Sequence, residues 1–354
     1  MRILKYILFS LLGVIFCSCQ EVLDFDPGEI NPYPVLISKP DSGDSVVCVY
    51  ISRSRFFLDE DNYPSAIGDA SVTLDVNGNT YVGVFDNNPA SQNYNKYVFS
   101  VVPQPSDSMR VSAAVPGFDH TVSAATKMPV MPQVEVTDFV IDTNDCYFRE
   151  WDSTWVRENY YYRIKFRIRS TLPKQFFSVM ASMSNVLDEN DTANFSWDTN
   201  EASFTYIFFE CNDPVVNTSD IENLIEGEAS SSFYGDNMAF SNEMFQSGEH
   251  EFTIEFSQWA GDSYGYNKLD YSKIPVRLFV RSLSLDLYLY TMTTQRQSEA
   301  DLFFSEPVQV HCNIDGGIGI FGASSLRKLS LPAPRFEHFN HNNSDNYYYK
   351  KKKK

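Results

Sequence analysis

A strict alternation of apolar and polar residues limits the fold of this chain more than any other sequence feature. It is clearest between residues 160 and 169, where the apolar set is Tyr160, Tyr162, Ile164, Phe166 and Ile168. Four of the intervening residues are cations, namely Arg163, Lys165, Arg167 and Arg169. Because side chains alternate between the two faces of a strand, the segment predicts a strand with one apolar and one cationic face. The cationic face is either a surface for an anionic ligand or an exposed surface paired with neighbouring acidic residues.

Shorter strand candidates recur along the chain, several with the same alternation and one, residues 46–51, continuously apolar. They cover residues 46–51, 71–76, 79–85, 97–102, 109–115, 204–209, 251–256 and 276–280. Asn77-Gly78 separates two of them and predicts a two-residue β-hairpin, because both turn positions require a positive φ. The 21 Tyr and 28 Phe also favour strands. Regularly spaced strands with such turns predict an N-terminal β-sandwich of immunoglobulin or transthyretin-like type.

Helical patterns are few and lie in the second half of the chain. The capping box at residues 219–222 predicts a short helix that ends at Gly227. After Ser284 a helical period begins, and its apolar face is formed by Leu285, Tyr288, Leu289 and Met292. We therefore predict a mainly β chain with a β-sandwich at residues 35–133. A second β-rich domain with one or two short helices follows at residues 134–331. The length suggests two domains, with one or three as alternatives.

The N-terminus has the pattern of a secretory signal. Arg2 and Lys5 precede an apolar run at residues 7–16, which is too short to span a hydrocarbon layer of about 30 Å. Residues 1–18 are therefore predicted to be a signal peptide. Cys19, preceded by Ser18, resembles the cysteine of bacterial lipoprotein signals, which is lipidated on its sulfur and becomes the mature N-terminus. Cys19 is thus the predicted lipid attachment site, and a plain signal peptide is the alternative.

The two ends of the mature chain are predicted to lie outside the folded body. Residues 19–34 read as an acidic, Pro-rich tether, because Pro27, Pro32 and Pro34 forbid a regular helix. Its acidic residues resemble an export signal for the outer leaflet in Bacteroidetes, or they form an ordinary solvated linker. Residues 332–354 end in five Lys and are predicted to be a disordered basic tail, which either contacts anionic headgroups or stays solvated.

The charge of the chain restricts its partners. The sequence has 28 Lys and Arg against 46 Asp and Glu, a formal net charge of -18. A body this acidic repels a phosphate backbone, so nucleic acid is excluded as a partner. No later segment is long and apolar enough to cross a membrane, so we expect a protein tethered to the membrane through its lipid.

The cysteines of the folded part leave two interpretations open. Cys48, Cys146, Cys211 and Cys312 lie far apart in sequence. Outside the cytoplasm they can form disulfides in any of three pairings, or they can remain buried free thiols. None has CxxC or Cys/His spacing, so no zinc site is predicted.

No catalytic, cofactor or metal site is predicted from motifs. Residues 317–322 satisfy GxGxxG, but a dinucleotide site needs a βαβ unit, and tight turns or close backbone packing explain these glycines instead. His338 and His341 are close in sequence but lie in the predicted tail. The four tryptophans are either a stacking platform for a flat ligand or core residues; they are Trp151, Trp155, Trp197 and Trp259.

One stretch near the C-terminus is more specific than composition. Phe304-Ser-Glu-Pro-Val-Gln-Val310 and Asn313-Ile-Asp-Gly-Gly-Ile-Gly-Ile-Phe-Gly-Ala323 resemble the C-terminal signature of the DUF4249 family of Bacteroidetes lipoproteins of unknown function. Gly68-Asp-Ala-Ser-Val-Thr-Leu74 and Phe240-Ser-Asn-Glu-Met-Phe245 agree with it, and the likeness covers about residues 35 to 330. The resemblance implies a TonB-dependent outer-membrane receptor as partner. It implies no catalytic or binding residues.

These observations lead to one main functional hypothesis and two alternatives. The main hypothesis is a lipoprotein anchored in the outer membrane, preferentially on the cell surface, that is a non-enzymatic accessory or ligand-capture partner of a TonB-dependent receptor. The first alternative is an adhesive or structural cell-surface β-sandwich protein. The second is a polysaccharide or peptide hydrolase.

Overall fold

The computed structural model describes residues 31–55, 66–150, 153–170, 172–184, 204–217, 232–235, 238–260, 274–299 and 308–338, without the side chains of 144–158, 259–260 and 299. One compact unit comprises Tyr33–Ser54 and Asn62–Lys354, and it contains all the strands and helices below. A second unit comprises Met1–Pro32 and Arg55–Asp61, of which three residues are described. The signal peptide, Cys19, the predicted helix at 219–227 and most of the basic tail lie outside the described residues.

The described residues form twenty strands and two α-helices. The first ten strands are β1 (Pro34–Ser38), β2 (Val47–Arg53), β3 (Ser71–Val76), β4 (Asn79–Val82), β5 (Val84–Asp86), β6 (Lys96–Phe99), β7 (Ser108–Ala114), β8 (Thr121–Lys127), β9 (Gln133–Glu150) and β10 (Ser153–Arg169). The others are β11 (Phe176–Ser184), β12 (Phe204–Tyr206), β13 (Phe209–Glu210), β14 (Ser232–Phe233), β15 (Met238–Ser241), β16 (Glu249–Ala260), β17 (Val276–Leu283), β18 (Ile318–Phe321), β19 (Ser324–Ser330) and β20 (Arg335–Phe336). The helices are α1 (Pro214–Asn217) and α2 (Leu285–Glu299). The predicted mainly β fold is confirmed.

Two sheets enclose the first hydrophobic core. One has the strand order β18-β1-β2-β6-β5 and the other β4-β3-β7-β8. Buried side chains from both sheets, such as Leu36, Phe99, Leu74 and Val111, pack between them. The predicted hairpin is confirmed, because β3 pairs with β4 through a turn in which Asn77 has φ 54° and Gly78 φ 85°. This core also takes Phe321 from the other end of the chain, and the domain boundary near residue 133 stays a prediction.

The second core lies between a sheet ordered β14-β13-β16-β10-β9-β20 and a sheet ordered β12-β11-β17-β19, in which β15 also pairs with β11. The predicted strand at residues 160–169 is the C-terminal part of β10, and its apolar residues are all buried in this core. Three of its cations pair with glutamates of the neighbouring strand β16. These pairs are Arg163–Glu255 at 2.6 Å, Arg167–Glu251 at 3.1 Å and Arg169–Glu249 at 3.0 Å. The paired-surface interpretation of the cationic face is therefore the correct one for these arginines.

Helix α2 follows β17 directly and confirms the helical pattern predicted after Ser284. The Ser284 hydroxyl accepts a hydrogen bond from the backbone N–H of Leu287 at 3.3 Å, which caps the helix. Tyr288 and Met292 of the predicted apolar face pack against a buried cluster that contains Phe176, but Leu285 is half exposed and Leu287 is buried in its place. Neither helix of the described residues is long and apolar enough to cross a membrane.

The glycines of residues 317–322 allow two backbone segments to lie in close contact. β18 pairs in parallel with β1, with Gly319 opposite Leu36. Gly319 has φ 124°, and a Cβ on it would lie 2.0 Å from the carbonyl oxygen of Leu36. A Cβ on Gly322 would lie 2.7 Å from the Cβ of Leu287 in α2. These glycines therefore allow close packing of the backbone, as the sequence analysis favoured, and do not form a dinucleotide-binding loop.

Three of the four cysteines in the folded part are free thiols. Cys48 is half-buried, Cys211 is buried and Cys312 is exposed, while the side chain of Cys146 is outside the described residues. Burial raises the pKa of the Cys211 thiol to about 12, with a further contribution from the negative charge of Asp213. The open question of disulfide pairing is thus answered for these three residues.

We expect Gly319→Ala to lower the free energy of unfolding by about 3 kcal/mol or more, because the added methyl group forces β18 away from β1 and the positive φ adds backbone strain. Gly78→Ala is a matched control, since Gly78 also has a positive φ but no atom within 4 Å of the position of a Cβ. It should cost about 1–2 kcal/mol from backbone strain alone. Urea unfolding of both variants measures the difference, and equal losses would contradict the close-approach argument.

We expect the thiols to differ sharply in their reaction with iodoacetamide at about pH 8, because the thiolate is the reactive form. A raised pKa keeps the thiol neutral at every pH below it, so Cys211 should stay unlabelled until the chain is unfolded. Cys312 is exposed and should be labelled in the native state. Peptide mapping by mass spectrometry resolves the two sites, and rapid native labelling of Cys211 would show that it is not buried.

Candidate functional site

A cleft of about 930 Å³ lies over the outer face of the sheet formed by β11, β17 and β19. The period-two alternation that buries one face of these strands in the second core puts the other set of side chains toward the cleft. The floor comprises Ser178 and Ser182 from β11, Arg277, Phe279, Arg281 and Leu283 from β17, and Ser324, Leu326 and Lys328 from β19.

Three other parts of the chain form the walls of the cleft. The segment after β1 contributes residues from Lys39 to Asp44, and β12 contributes Phe204 and Tyr206. The third wall is the face of α2 that carries Leu287, Tyr290, Thr291, Thr294, Gln295 and Ser298. The lining therefore comes from segments that are almost 300 residues apart in sequence, since it runs from Lys39 to Lys328.

Asp41 holds the wall after β1 against the floor. One carboxylate oxygen accepts hydrogen bonds from Arg281 Nε and from the Ser324 hydroxyl, each at 2.9 Å. The other oxygen accepts from the backbone N–H of Leu326, also at 2.9 Å. Charge-assisted bonds of this kind are the stronger class of hydrogen bond, so the Asp41 carboxylate is a structural bridge whose charge is balanced by Arg281.

Cations outnumber carboxylates in the cleft. Its lining contains the four cations Lys39, Arg277, Arg281 and Lys328, and the two carboxylates Asp41 and Asp44. Desolvation of its carboxyl raises the pKa of Asp44, with the backbone N–H of Asp41 acting in the opposite direction. The whole chain has a net charge of -18, so the excess of positive charge in the cleft is opposite in sign to the charge of the chain.

Aromatic rings lie beside two of these cations. The guanidinium of Arg277 lies 3.8 Å from the centroid of the Phe204 ring, and the ammonium of Lys39 lies 4.6 Å from that of Tyr290. Such cation–π contacts orient the charged groups of the two residues at the edge of the cleft. With Phe279 and Tyr206, the cleft combines flat apolar surfaces with cationic donors.

Buried hydroxyls without hydrogen-bond partners form part of the floor. Ser178 is 2% exposed and Ser182 is 1% exposed, and neither hydroxyl has a partner among the described residues. Ser42, in the adjacent wall, has an unpartnered hydroxyl as well. A buried polar group without a partner is costly, so these hydroxyls are unusual for the interior of a protein.

Three of the four histidines in the described residues bind carboxylates, and the fourth, His120, contacts the carbonyl oxygen of Gly316 at 2.6 Å through Nε2. His250 contacts Asp213 at 2.9 Å, His311 contacts Asp286 at 3.0 Å and His338 contacts Asp142 at 2.8 Å. The described residues contain no group of three or more His, Cys, Asp and Glu that could hold a metal ion. His341 and the side chains of the four tryptophans lie outside the described residues.

The sequence analysis did not identify the cleft. The sequence feature that could have indicated the cleft is the alternation of β17, where Arg277 and Arg281 flank Phe279 on one face. This pattern resembles that of β10, whose arginines pair with glutamates. Without the strand order, the two cationic faces are indistinguishable.

Comparison with known proteins supports the family and adds little else. A family model described as a domain of unknown function, DUF4249, matches residues 20–330. No curated protein matches the chain. The crystal structure of a Parabacteroides merdae β-glucuronidase is similar at 10% identity and a TM-score of 0.21, over 72% of this chain and 24% of that one. The chain thus spans about a quarter of the length of that structure, and so low a TM-score supports no inference about fold or activity.

We expect Ser178→Ala and Ser182→Ala each to raise the free energy of unfolding by about 1 kcal/mol, because each removes a buried hydroxyl that has no partner. Ser38→Ala is the matched control. Ser38 is also buried, but its hydroxyl donates to the carbonyl oxygen of Cys48 at 2.8 Å, so its loss should lower stability by about 1 kcal/mol. Urea unfolding measures the sign, and destabilisation by all three changes would mean that the floor hydroxyls are bonded in solution.

Proposed function

The chain belongs to the DUF4249 family, and we propose that it is a lipid-anchored outer-membrane protein that captures a ligand for a TonB-dependent receptor without catalysing a reaction. Cys19 carries the lipid in this proposal. The anchor holds the folded body at the membrane surface, preferentially on the outside of the cell.

The observation that carries the capture role is the cleft. A concave site of several hundred Å³ with aromatic walls and a few convergent polar groups has the properties of a small-molecule binding site. The cleft has this size and lining, and its cations are oriented by the rings of Phe204 and Tyr290.

The arrangement of Asp41 supports a binding role over a hydrolytic one. A carboxylate that acts as general acid, base or nucleophile needs to reach the substrate. Both carboxylate oxygens of Asp41 instead accept hydrogen bonds from Arg281, Ser324 and Leu326. These bonds fix Asp41 as part of the wall.

The support for a receptor partner is the family resemblance together with the predicted anchor. A protein tethered by acyl chains diffuses in the plane of the membrane, where an integral receptor is concentrated. The adhesive alternative requires binding to a surface polymer in the absence of such a receptor.

We expect the chain with a C-terminal tag to fractionate with the outer membrane and to co-purify with a β-barrel receptor after mild detergent extraction. Cys19→Ala should move the protein out of the membrane fraction and abolish the co-purification, because the acyl chains are its only proposed attachment. Cys17→Ala is the matched control, since it removes the other cysteine of the signal and should change neither result. Immunoblotting and mass spectrometry of the eluates measure both.

Membrane retention of Cys19→Ala would contradict the anchor. Recovery of the anchored protein bound to a surface polymer and free of any barrel would favour adhesion over receptor partnership.

A further inference from the structure

The floor of the cleft carries hydroxyl groups at two positions of one strand. Ser178 and Ser182 lie on the same face of β11, because they are four residues apart and side chains alternate along a strand. Both side chains are buried, and their hydroxyls have no hydrogen-bond partner among the described residues. Ser42 in the adjacent wall adds a third hydroxyl of this kind. Each of these hydroxyls is uncharged and can both donate and accept a hydrogen bond.

The charged side chains of the lining differ from these hydroxyls, because each has a partner within the protein. Arg281 donates to the Asp41 carboxylate at 2.9 Å, and the Asp44 carboxylate accepts from the backbone N–H of Asp41, also at 2.9 Å. Interactions within the protein also engage the three other charged residues of the lining, which are Lys39, Arg277 and Lys328. The buried groups that a ligand can bind without displacing a protein contact are therefore the neutral hydroxyls.

An exposed aromatic ring lies beside one of the two floor serines. Tyr206 lies directly opposite Ser182 in the pairing of β11 with β12. Directly paired residues of an antiparallel sheet have Cβ atoms about 5 Å apart. Tyr206 is 44% exposed, and its ring meets that of Phe279 edge-on at a centroid distance of 6.2 Å. The negative face of such a ring attracts weakly positive C–H groups, and a pyranose ring presents C–H groups of this kind on its flat faces.

The spacing of the serines sets the length of the ligand. Ser178 and Ser182 are separated by roughly 13 Å at the rise of a β-strand. A single monosaccharide is shorter than this distance, so a molecule that reaches both hydroxyls while lying on Tyr206 contains more than one sugar unit. The volume of about 930 Å³ is large for a small-molecule site and leaves space for such a chain.

From these observations, which rest on the proposed capture role of the cleft, we propose that the ligand is a neutral oligosaccharide that lies along β11. One sugar ring stacks on Tyr206 and binds the Ser182 hydroxyl, and a further unit binds the Ser178 hydroxyl. Rotation of each serine about χ1 among its staggered rotamers directs the hydroxyl to the sugar. A purely apolar ligand would leave both hydroxyls without a partner, which is costly.

Neutral hexasaccharides of different linkage test the proposal. The probes are cellohexaose, maltohexaose, laminarihexaose and mannohexaose, with glucose and mannose as single units. Isothermal titration calorimetry of the anchored mature protein measures their affinities. The protein is kept in a polyoxyethylene detergent, which has no sugar head group to compete for the cleft, and a detergent blank is subtracted.

We expect at least one hexasaccharide to bind at one site, and its monosaccharide to bind about tenfold more weakly or worse, because a single ring cannot reach both serines. The same hexasaccharide with its hydroxymethyl groups oxidised to carboxylates should bind no more tightly than the neutral form. The reason is that the cations of the lining already have partners within the protein.

The variants of Tyr206 test the stacking contact. Tyr206→Ala should weaken the hexasaccharide about tenfold, whereas the conservative Tyr206→Phe keeps the ring and should restore the affinity to within about twofold of the unchanged protein. Tyr94→Ala is the matched control, because Tyr94 is 43% exposed but does not line the cleft.

The serine variants separate a ligand contact from a structural effect. Ser178→Ala and Ser182→Ala should each weaken the hexasaccharide about fivefold, because each removes one neutral hydrogen bond. The same changes are expected to stabilise the protein, so a loss of affinity cannot come from a loss of folding. Ser282→Ala is the control, since its hydroxyl is also buried and unpartnered among the described residues but Ser282 does not line the cleft.

No binding of any hexasaccharide at millimolar concentration, tighter binding of the oxidised form, or insensitivity to Tyr206→Ala or to both serine changes would each overturn the proposal. The calorimetry needs no receptor. Failure to co-purify a β-barrel would therefore contradict the proposed function while leaving the saccharide site standing. Loss of saccharide binding would contradict the site and leave the anchor and the receptor partnership standing.

Discussion

The close contact between β18 and β1 is the constraint on which the rest of the structure depends. Parallel pairing brings Gly319 against Leu36, where a side chain has no space. Through this contact, residues near 320 pair with the strand that begins at residue 34. Phe321 is thereby brought into the first core. It also places the flanking segments, because Gly322 lies against Leu287 of α2 and β19 follows directly.

The cleft is a consequence of that pairing. β1 ends at Ser38, and the wall that follows it reaches Asp41, whose carboxylate binds β17 through Arg281 and β19 through Ser324 and Leu326. Helix α2 forms another wall, and its N-terminal turn packs on Gly322 through Leu287. Asp41 and Arg281 are 240 residues apart in sequence, so this part of the site forms only after the two ends of the folded region have met.

The fold was largely predictable because its determinants are local. The hairpin at Asn77-Gly78, the alternation at 160–169 and the helix after Ser284 each depend on a few adjacent residues, and all three are confirmed. Two details were missed. Leu287 replaces Leu285 in the packed face of α2 because it lies against Gly322, and the arginines of β10 and β17 differ in role because of the strands beside them. Glu255, Glu251 and Glu249 face the first set, while a serine-bearing strand faces the second.

The acidic surface of the protein bears on how a charged ligand reaches the cleft. A net charge of -18 repels an anionic ligand at long range, but mobile ions screen that repulsion beyond about 8 Å at physiological ionic strength. The lining of the cleft contains the cations Lys39, Arg277, Arg281 and Lys328 with the carboxylates Asp41 and Asp44, and the low dielectric of a partly enclosed site strengthens the effect of each charge. Short-range contacts in the cleft therefore outweigh long-range electrostatic steering for any charged ligand of the proposed capture role.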